Sequence, residues 1–285
     1  MLESISTQLH KHLPEDYYNL ILDIKHAAEW SVRTATASIR AFPDFLIVGA
    51  QKAGTTSLYA YLKQHPDIEA AWTKEICYFD HNLERGPNWY KRHFHCPWLI
   101  NRDAVAGESS PNYLYYPDVP ASIASLLPEV KIIILLRDPV RRAVSHYWHV
   151  RDRGFETLSL FEAVRAEKKR LQKPYGTYTP PKGKTKHRTR LDRGIYAPQL
   201  RRYFDAFPSG QILILCSRKL YQNTQGTYDR VTDFLGVPRY DLPGLGARNS
   251  RTYPDPDPEL IRELRDFFEP HNQKLFEMLG RDFDW

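Results

Sequence analysis

The sequence contains few cysteines. Only Cys77, Cys96 and Cys216 occur among 285 residues, and no two of them are separated by just two positions. An odd number of widely spaced cysteines argues against a disulfide-stabilised small domain and against a zinc site built from thiolates. We therefore expect reduced thiols, no metal site and a cytoplasmic location.

Long apolar runs are also missing. No stretch of about 18 consecutive apolar residues occurs, so the sequence predicts no membrane-spanning helix. The first residues, MLESISTQLHKHL, lack the apolar centre of a secretory signal. Both absences favour the same cytoplasmic location.

The composition is that of a folded protein with a mild basic excess. Hydrophobic residues make up 42% and aromatic residues 13%, which excludes a disordered chain and suffices for one large core. The formal net charge is +6. That excess is compatible with simple solubility and with an anionic ligand, and only local patterns can distinguish the two.

Three apolar segments, each followed by a helical pattern, dominate the chain. They are FPDFLIVGA from Phe42, KIIILLRD from Lys131 and QILILCS from Gln211. Strands that alternate with helices indicate an α/β fold with a mainly parallel central sheet flanked by helices. We predict one domain over residues 42–285, preceded by an N-terminal helical extension at residues 1–41.

A basic segment interrupts this pattern. Residues 167–193 read EKKRLQKPYGTYTPPKGKTKHRTRLDR, which is rich in Lys, Arg, Pro and Gly and poor in aliphatic residues. We predict a long surface loop here. It is either a solvated insertion or an electropositive rim over an acidic substrate. Nucleic acid is not expected as a partner, because no recognition motif accompanies the charge.

The connection between the first strand and its helix has the features of an anion site. It runs Gly49-Ala-Gln-Lys-Ala-Gly54, followed by Thr55, Thr56 and Ser57. Backbone amides at such a turn, together with a helix N-terminus, cradle phosphate groups. The two glycines have the spacing of the kinase pattern GxxxxGK[ST], which would indicate a P-loop-like three-layer fold. However, Thr55 stands where a kinase has its lysine, and the lysine lies earlier, at Lys52.

Two segments together resemble the signatures of the PAPS-dependent sulfotransferases, which use 3′-phosphoadenosine 5′-phosphosulfate (PAPS). They are IVGAQKAGTTSL at residues 47–58 and LLRDPVRRAVS at residues 135–145. The resemblance implies that the 5′-phosphosulfate is held by the turn residues Lys52, Ala53, Gly54, Thr55, Thr56 and Ser57. It assigns Arg137 and Ser145 to the 3′-phosphate, and an arginine at the carboxyl end of a parallel strand suits that role.

Further motifs resemble the heparan sulfate N- and 3-O-sulfotransferase branch. They are KEICYF at residues 74–79, GESSPNY at residues 107–113 and RGIY at residues 193–196. The resemblance implies transfer of a sulfuryl group to a hydroxyl or amine, with a carbohydrate or other small molecule as the acceptor. It does not identify that acceptor, and the oligomeric state stays open.

The resemblance also suggests which groups perform the chemistry. Glu75 is the candidate general base that takes the acceptor proton. Lys52 would stabilise negative charge on the departing phosphate oxygen. His149, four residues after Ser145, is a second catalytic candidate, whereas His146 is expected to face elsewhere.

The C-terminal part departs from the branch pattern. The segment RNSRTYP at residues 248–254 retains an arginine, a tyrosine and a proline of the branch motif but has no flanking cysteines. In the branch this segment grips the donor, so the resemblance makes Arg251, and Arg248 beside the expected lysine position, candidates for holding it. Two alternatives remain open for the whole chain: a small-molecule kinase that uses ATP, and a non-catalytic module that binds polyanions.

Overall fold

The centre of the protein is a sheet of parallel strands. The computed structural model describes residues 15–97, 104–171, 189–243, 253–283 and 285. These residues contain five strands: β1 (Phe45–Gly49), β2 (Ile68–Ala70), β3 (Val105–Ser109), β4 (Lys131–Leu136) and β5 (Ile212–Cys216). Their order across the sheet is β2-β3-β1-β4-β5, and each neighbouring pair is parallel. The predicted α/β fold with a parallel central sheet is confirmed.

Helices connect the strands and cover the sheet. Within the described residues they are α1 (Glu15–Ala35), α2 (Thr55–Leu62), α3 (Tyr78–His81), α4 (Gly86–Lys91), α5 (Val119–Leu126), α6 (Pro139–Arg151), α7 (Leu160–Leu171), α8 (Tyr196–Ala206), α9 (Ser217–Gln222), α10 (Thr224–Leu235) and α11 (Pro258–Leu279). Every residue of β1 is buried, and so are five of the six residues of β4. That pattern is expected for strands that are covered on both faces.

Three strand-to-helix connections lie at one edge of the sheet. β1 leads into α2, β4 into α6 and β5 into α9, and these strands are neighbours in the order β1-β4-β5. Because parallel strands end at the same edge, their following turns converge there. A second apolar cluster packs α6 and α7 against α11 and includes Val140, Val164, Leu264 and Phe268. It fixes α6 beside the converging turns.

Helix α1 lies outside the core. None of its residues is buried, and its contacts with the body include those of His26, Trp30 and Arg33. The boundary of the extension at residue 41 stays a prediction. Of the helices in the described part of the chain, none combines the length and the apolar character that a membrane crossing requires.

The predicted basic loop has different bounds in the structure. Its first residues belong to helix α7, which extends to Leu171. At its other end, Arg190 and Arg193 are buried rather than solvated. The expectation of a surface loop was therefore wrong at both ends, since buried carboxylates take up part of the positive charge there. Residues 172–188 lie outside the described residues.

Candidate active site

The turn after β1 is shaped for close approach by a ligand. Gly54 has φ +99°, a backbone conformation that glycine adopts without strain. A Cβ atom at Gly54 would lie 2.8 Å from the hydroxyl oxygen of Tyr221. Lys52, which does carry a side chain, also adopts a left-handed φ of 71°. The N-cap residue of α2 is Gly54, which has no side chain to cap the helix, and the positive end of a helix favours an anion.

A cavity of about 1180 Å³ opens at this edge of the sheet. It brings together nine of the predicted site residues: Lys52, Gly54, Thr55, Thr56, Ser57, Glu75, Arg137, Ser145 and His149. Ala53 is fully buried and does not line the cavity; its backbone N–H donates to the carbonyl of Ala50 at 3.0 Å. Arg248 and Arg251 lie outside the described residues.

The cavity is strongly cationic. Seven of its lining residues are basic: Lys52, Lys74, Arg137, Arg141, Arg153, Arg193 and Arg218. Only Glu75 and Asp138 carry carboxylates among the described lining residues. A cleft lined mainly by one sign of charge concentrates ligands of the opposite sign. The basic character of the sequence is therefore focused on one site that suits an anionic ligand.

Arg137 links the end of β4 to the anion turn. Its guanidinium donates to the carbonyl of Lys52 at 2.8 Å, and its own carbonyl accepts from the Tyr196 hydroxyl at 2.8 Å. An arginine has five N–H donors in a planar fork. With one donor holding the turn, the other donors can serve a phosphate group in the cavity.

Helix α6 supplies five of the residues that line the cavity: Arg141, Ser145, His146, His149 and Val150. Asp138 caps the helix by accepting from the Val140 N–H at 2.9 Å, and a proline follows at the first helical position. Ser145 and His149 lie about one turn apart and both line the cavity. His146 lines it too, so the expectation that His146 faces elsewhere was wrong. Burial, followed by the nearby charge of Arg142, lowers the pKa of His146 well below its ordinary value.

The Glu75 carboxylate is joined to the anion turn through Lys74. The Lys74 ammonium donates to the Thr56 hydroxyl at 2.8 Å and to the Glu75 carboxylate at 3.2 Å. The Glu75 side chain is 48% exposed, so a ligand entering the cavity can reach it. Like Lys52, Glu75 adopts a left-handed φ, here 57°. Unfavourable backbone conformations of this kind concentrate at functional sites.

Other lining residues were missed by the sequence reasoning. Ser217 and Arg218 follow β5, and Tyr221 lies one turn further along α9. The rule that parallel strands end at one edge would have identified this turn, because QILILCS was already recognised as a strand. Tyr253 lines the cavity and stacks on Trp148 with the ring planes 5° apart. In the described part of the chain, no cluster of His, Cys, Asp or Glu is arranged to hold a metal ion.

Comparison with known proteins identifies relatives of most of the chain. Residues 42–242 match the family model of the sulfotransferase domain. A solved structure of a sulfotransferase from Alicyclobacillus acidocaldarius has 32% sequence identity and a TM-score of 0.70, and the match covers 85% of this chain and 97% of that one.

Two groups of curated proteins are also similar. Heparan sulfate glucosamine 3-O-sulfotransferase 3B1 of Mus musculus is 28% identical over 273 residues, which is 87% of this chain and 66% of that protein. Bifunctional heparan sulfate N-deacetylase/N-sulfotransferase 4 of Mus musculus is 32% identical over 291 residues, which is 91% of this chain and 32% of that protein. The chain thus spans just under two thirds of the first relative and about one third of the second.

Proposed function

The chain belongs to the sulfotransferase domain family, and from that membership we propose that it transfers the sulfuryl group of PAPS to a hydroxyl or amine. One observation carries this proposal. A single cationic cavity collects the anion turn, Arg137 and Glu75, which are the elements needed to bind an anionic donor and to take up an acceptor proton. A polyanion-binding module would have no need for a carboxylate in that position.

We assign the two ends of the donor to two strand-to-helix turns. The backbone amides of the turn after β1, with Thr55, Thr56 and Ser57, would hold the 5′-phosphosulfate. Arg137 and Ser145, at the neighbouring turn after β4, would hold the 3′-phosphate. The two turns are adjacent because β1 pairs with β4. Arg248 and Arg251 stay predicted donor contacts on the strength of the family pattern.

The transfer itself requires one proton acceptor and one stabilising cation. As the acceptor attacks sulfur, a new bond to sulfur forms, and the bond between sulfur and the phosphate oxygen breaks. The Glu75 carboxylate takes the proton that the acceptor loses. Lys52 offsets the charge that develops on the departing phosphate oxygen. His149 lines the same cavity and is a second candidate for stabilising that oxygen.

A carbohydrate is the acceptor class that we propose. The support comes from the curated relatives, whose names specify heparan sulfate as substrate. Because these include both 3-O- and N-sulfotransferases, they do not favour a hydroxyl over an amine. A cytoplasmic location also stays a prediction, based on the three free cysteines.

The proposal is tested by comparing the affinities of two nucleotides. In calorimetric titrations, adenosine 3′,5′-bisphosphate, the desulfated product of PAPS, should bind with roughly micromolar affinity, about −8 kcal/mol. ATP with Mg²⁺ should bind much more weakly, because Thr55 replaces the lysine of the kinase pattern. Tight ATP binding with no binding of the bisphosphate would favour the kinase alternative and refute the proposal.

A further inference from the structure

A fully buried carboxylate lies behind the Glu75 segment. Glu108, near the end of β3, is 0% exposed, and it is absent from the residues that line the cavity. Its carboxylate therefore cannot take a proton from an acceptor directly. A buried charge is costly unless hydrogen bonds satisfy it, so its partners indicate its role.

Three hydroxyl groups surround this carboxylate. The Tyr90 hydroxyl donates at 2.6 Å, the Ser110 hydroxyl at 2.7 Å and the Tyr113 hydroxyl at 3.0 Å. Tyr90 comes from helix α4, whereas Ser110 and Tyr113 follow β3. An ionised carboxylate accepts all three bonds and donates none.

Two of these hydroxyls also hold the backbone that follows Glu75. The Cys77 N–H donates to the Ser110 hydroxyl at 3.2 Å, and the Tyr78 N–H donates to the Tyr113 hydroxyl at 2.8 Å. A hydroxyl that accepts from a backbone N–H must direct its own proton to another acceptor, which here is Glu108. Each hydrogen-bond chain therefore runs from the backbone, through a hydroxyl, to the buried carboxylate.

The Glu75 segment needs this support because its backbone is strained. Both Glu75 and Cys77 adopt left-handed conformations, with φ of 57° and 53°. Residues with a Cβ atom keep such conformations only where the surrounding structure enforces them. The two backbone N–H bonds act immediately after Glu75, where they can enforce the turn.

We propose that Glu108 is a positioning residue that fixes Glu75 in the cavity through the Ser110 and Tyr113 hydroxyls. The inference rests on the proposed role of Glu75 as the general base. It accounts for a buried acidic residue in a strand that is otherwise built from small or apolar side chains. It also explains why Glu108 is needed although it contacts no ligand.

The charge state of Glu108 gives the proposal a pH signature. Burial raises the pKa of Glu108 to about 7, against the opposing effect of its three hydrogen bonds, and the charge of Asp80 adds to the increase. The other titratable groups that face it are the phenols of Tyr59, Tyr90 and Tyr113. Once protonated, the carboxyl must donate one bond and loses an acceptor site. Positioning of Glu75 should therefore weaken as the pH falls through about 7.

Amide hydrogen exchange tests the positioning without an acceptor. Tyr113→Phe and Tyr90→Phe each remove one phenol hydroxyl from Glu108, but only Tyr113 holds a backbone N–H of the Glu75 segment. Tyr113→Phe should lower the protection factor of the Tyr78 amide about tenfold at pH 8, the worth of one hydrogen bond. The control Tyr90→Phe should lower it less. Equal protection in the two variants would overturn the proposal.

A double-mutant cycle then connects positioning to catalysis. Single-turnover rates are measured with bound PAPS and a heparan sulfate oligosaccharide. We expect a fall of about 10²–10⁴-fold for Glu75→Gln and of about 10–100-fold for Glu108→Gln. The double variant should be no slower than Glu75→Gln alone, because Glu108 acts through Glu75.

The outcomes of the cycle separate this proposal from the proposed function. Multiplicative effects of the two substitutions would show that Glu108 acts elsewhere and would overturn the positioning role. An unchanged affinity for adenosine 3′,5′-bisphosphate confirms that each variant is folded. If the parent protein transfers no sulfuryl group, the proposed function fails, whereas protection of the Tyr78 amide in Glu108→Gln, which should fall as in Tyr113→Phe, still decides the role of Glu108.

Discussion

Arg137 has two tasks, one in the fold and one in the proposed donor site. Because its guanidinium holds the Lys52 carbonyl as well as facing the cavity, Arg137→Ala should disturb the anion turn in addition to removing a phosphate contact. We expect the binding free energy of adenosine 3′,5′-bisphosphate to become less favourable by about 2–4 kcal/mol, as when one partner of a charge pair is truncated. The affinity for AMP, which lacks the 3′-phosphate, should fall less.

The comparison of the two ligands is the decisive measurement for Arg137. Arg201→Ala is the matched control, because Arg201 is exposed on α8 and lies outside the cavity. It should bind both ligands as the parent protein does. Equal losses for both ligands in Arg137→Ala would mean that the side chain supports only the turn and does not contact the 3′-phosphate.

At the residue scale, local motifs predicted which residues lie at the site but not the hydrogen bonds among them. Lys52 and Glu75 were found from short sequence patterns, and the structure places both at one cavity. The patterns gave no sign of the bridge from Thr56 through Lys74 to Glu75, since it joins residues 18 positions apart. The prediction that His146 faces away from the site assumes that only residues one helical turn apart, such as Ser145 and His149, line it. The cavity is wide enough to contact the neighbouring side chain as well.

At the element scale, the basic composition predicts an exposed segment after α7, and this prediction is wrong for Arg190 and Arg193, which are buried. Arg190 is buried and pairs with Glu156 at 2.5 Å and with Glu167 at 3.6 Å. Glu167 also accepts the N–H groups of Arg190 and Leu191 at 2.9 and 2.7 Å. Composition alone could not reveal this, because the partners lie 23 to 34 positions away in the sequence.

The two buried ion pairs of Arg190 make the packing of α7 dependent on this residue. Arg190→Ala would remove a buried cation that pairs with two buried carboxylates, so we expect the free energy of unfolding to fall by about 3–5 kcal/mol. Urea denaturation measures the change. Lys169→Ala, at an exposed position of the same helix, should change it by no more than about 0.5 kcal/mol. A similar small effect for Arg190→Ala would show that water compensates the carboxylates.

At the scale of the whole molecule, the sequence predicted three neighbouring strands, β1, β4 and β5, and missed the two strands at the opposite edge of the sheet. β1, β4 and β5 are continuous apolar runs, which single them out. β2 has only three residues, and β3 reads VAGES, with a glycine and a charged residue. Neither has the apolar pattern of a buried strand. β2 is too short to show a pattern. β3 carries Glu108, which can be buried only because its hydrogen-bond partners include a residue from another element.

We predict that helix α1, in the N-terminal extension, contributes little to the stability of the protein and nothing to ligand binding. Helix α1 has no buried residue, and among the described residues none before Gln51 lines the cavity. Its contacts are chiefly the Arg33 guanidinium over the Trp72 ring and the Arg92 guanidinium over the Trp30 ring, both at 4.2 Å. Removing residues 1–35 should therefore cost about 1–3 kcal/mol of stability and leave bisphosphate affinity unchanged.

The pKa of His93 shows whether helix α1 packs against the body of the protein, because Trp30 of α1 contacts the His93 ring. Its pKa is lowered to about 4 by burial and then by the charges of Arg92 and Arg33, and the Trp30 ring packs on it at 5.1 Å. A histidine that is kept neutral by burial favours the folded state less as the pH falls below its unfolded pKa of about 6.5. Without α1, the pKa of His93 measured by NMR should rise towards that value, and the acid sensitivity of folding should diminish. An unchanged pKa would show that α1 does not bury His93. A truncated chain that fails to fold or to bind the bisphosphate would instead make α1 an integral part of the sulfotransferase domain.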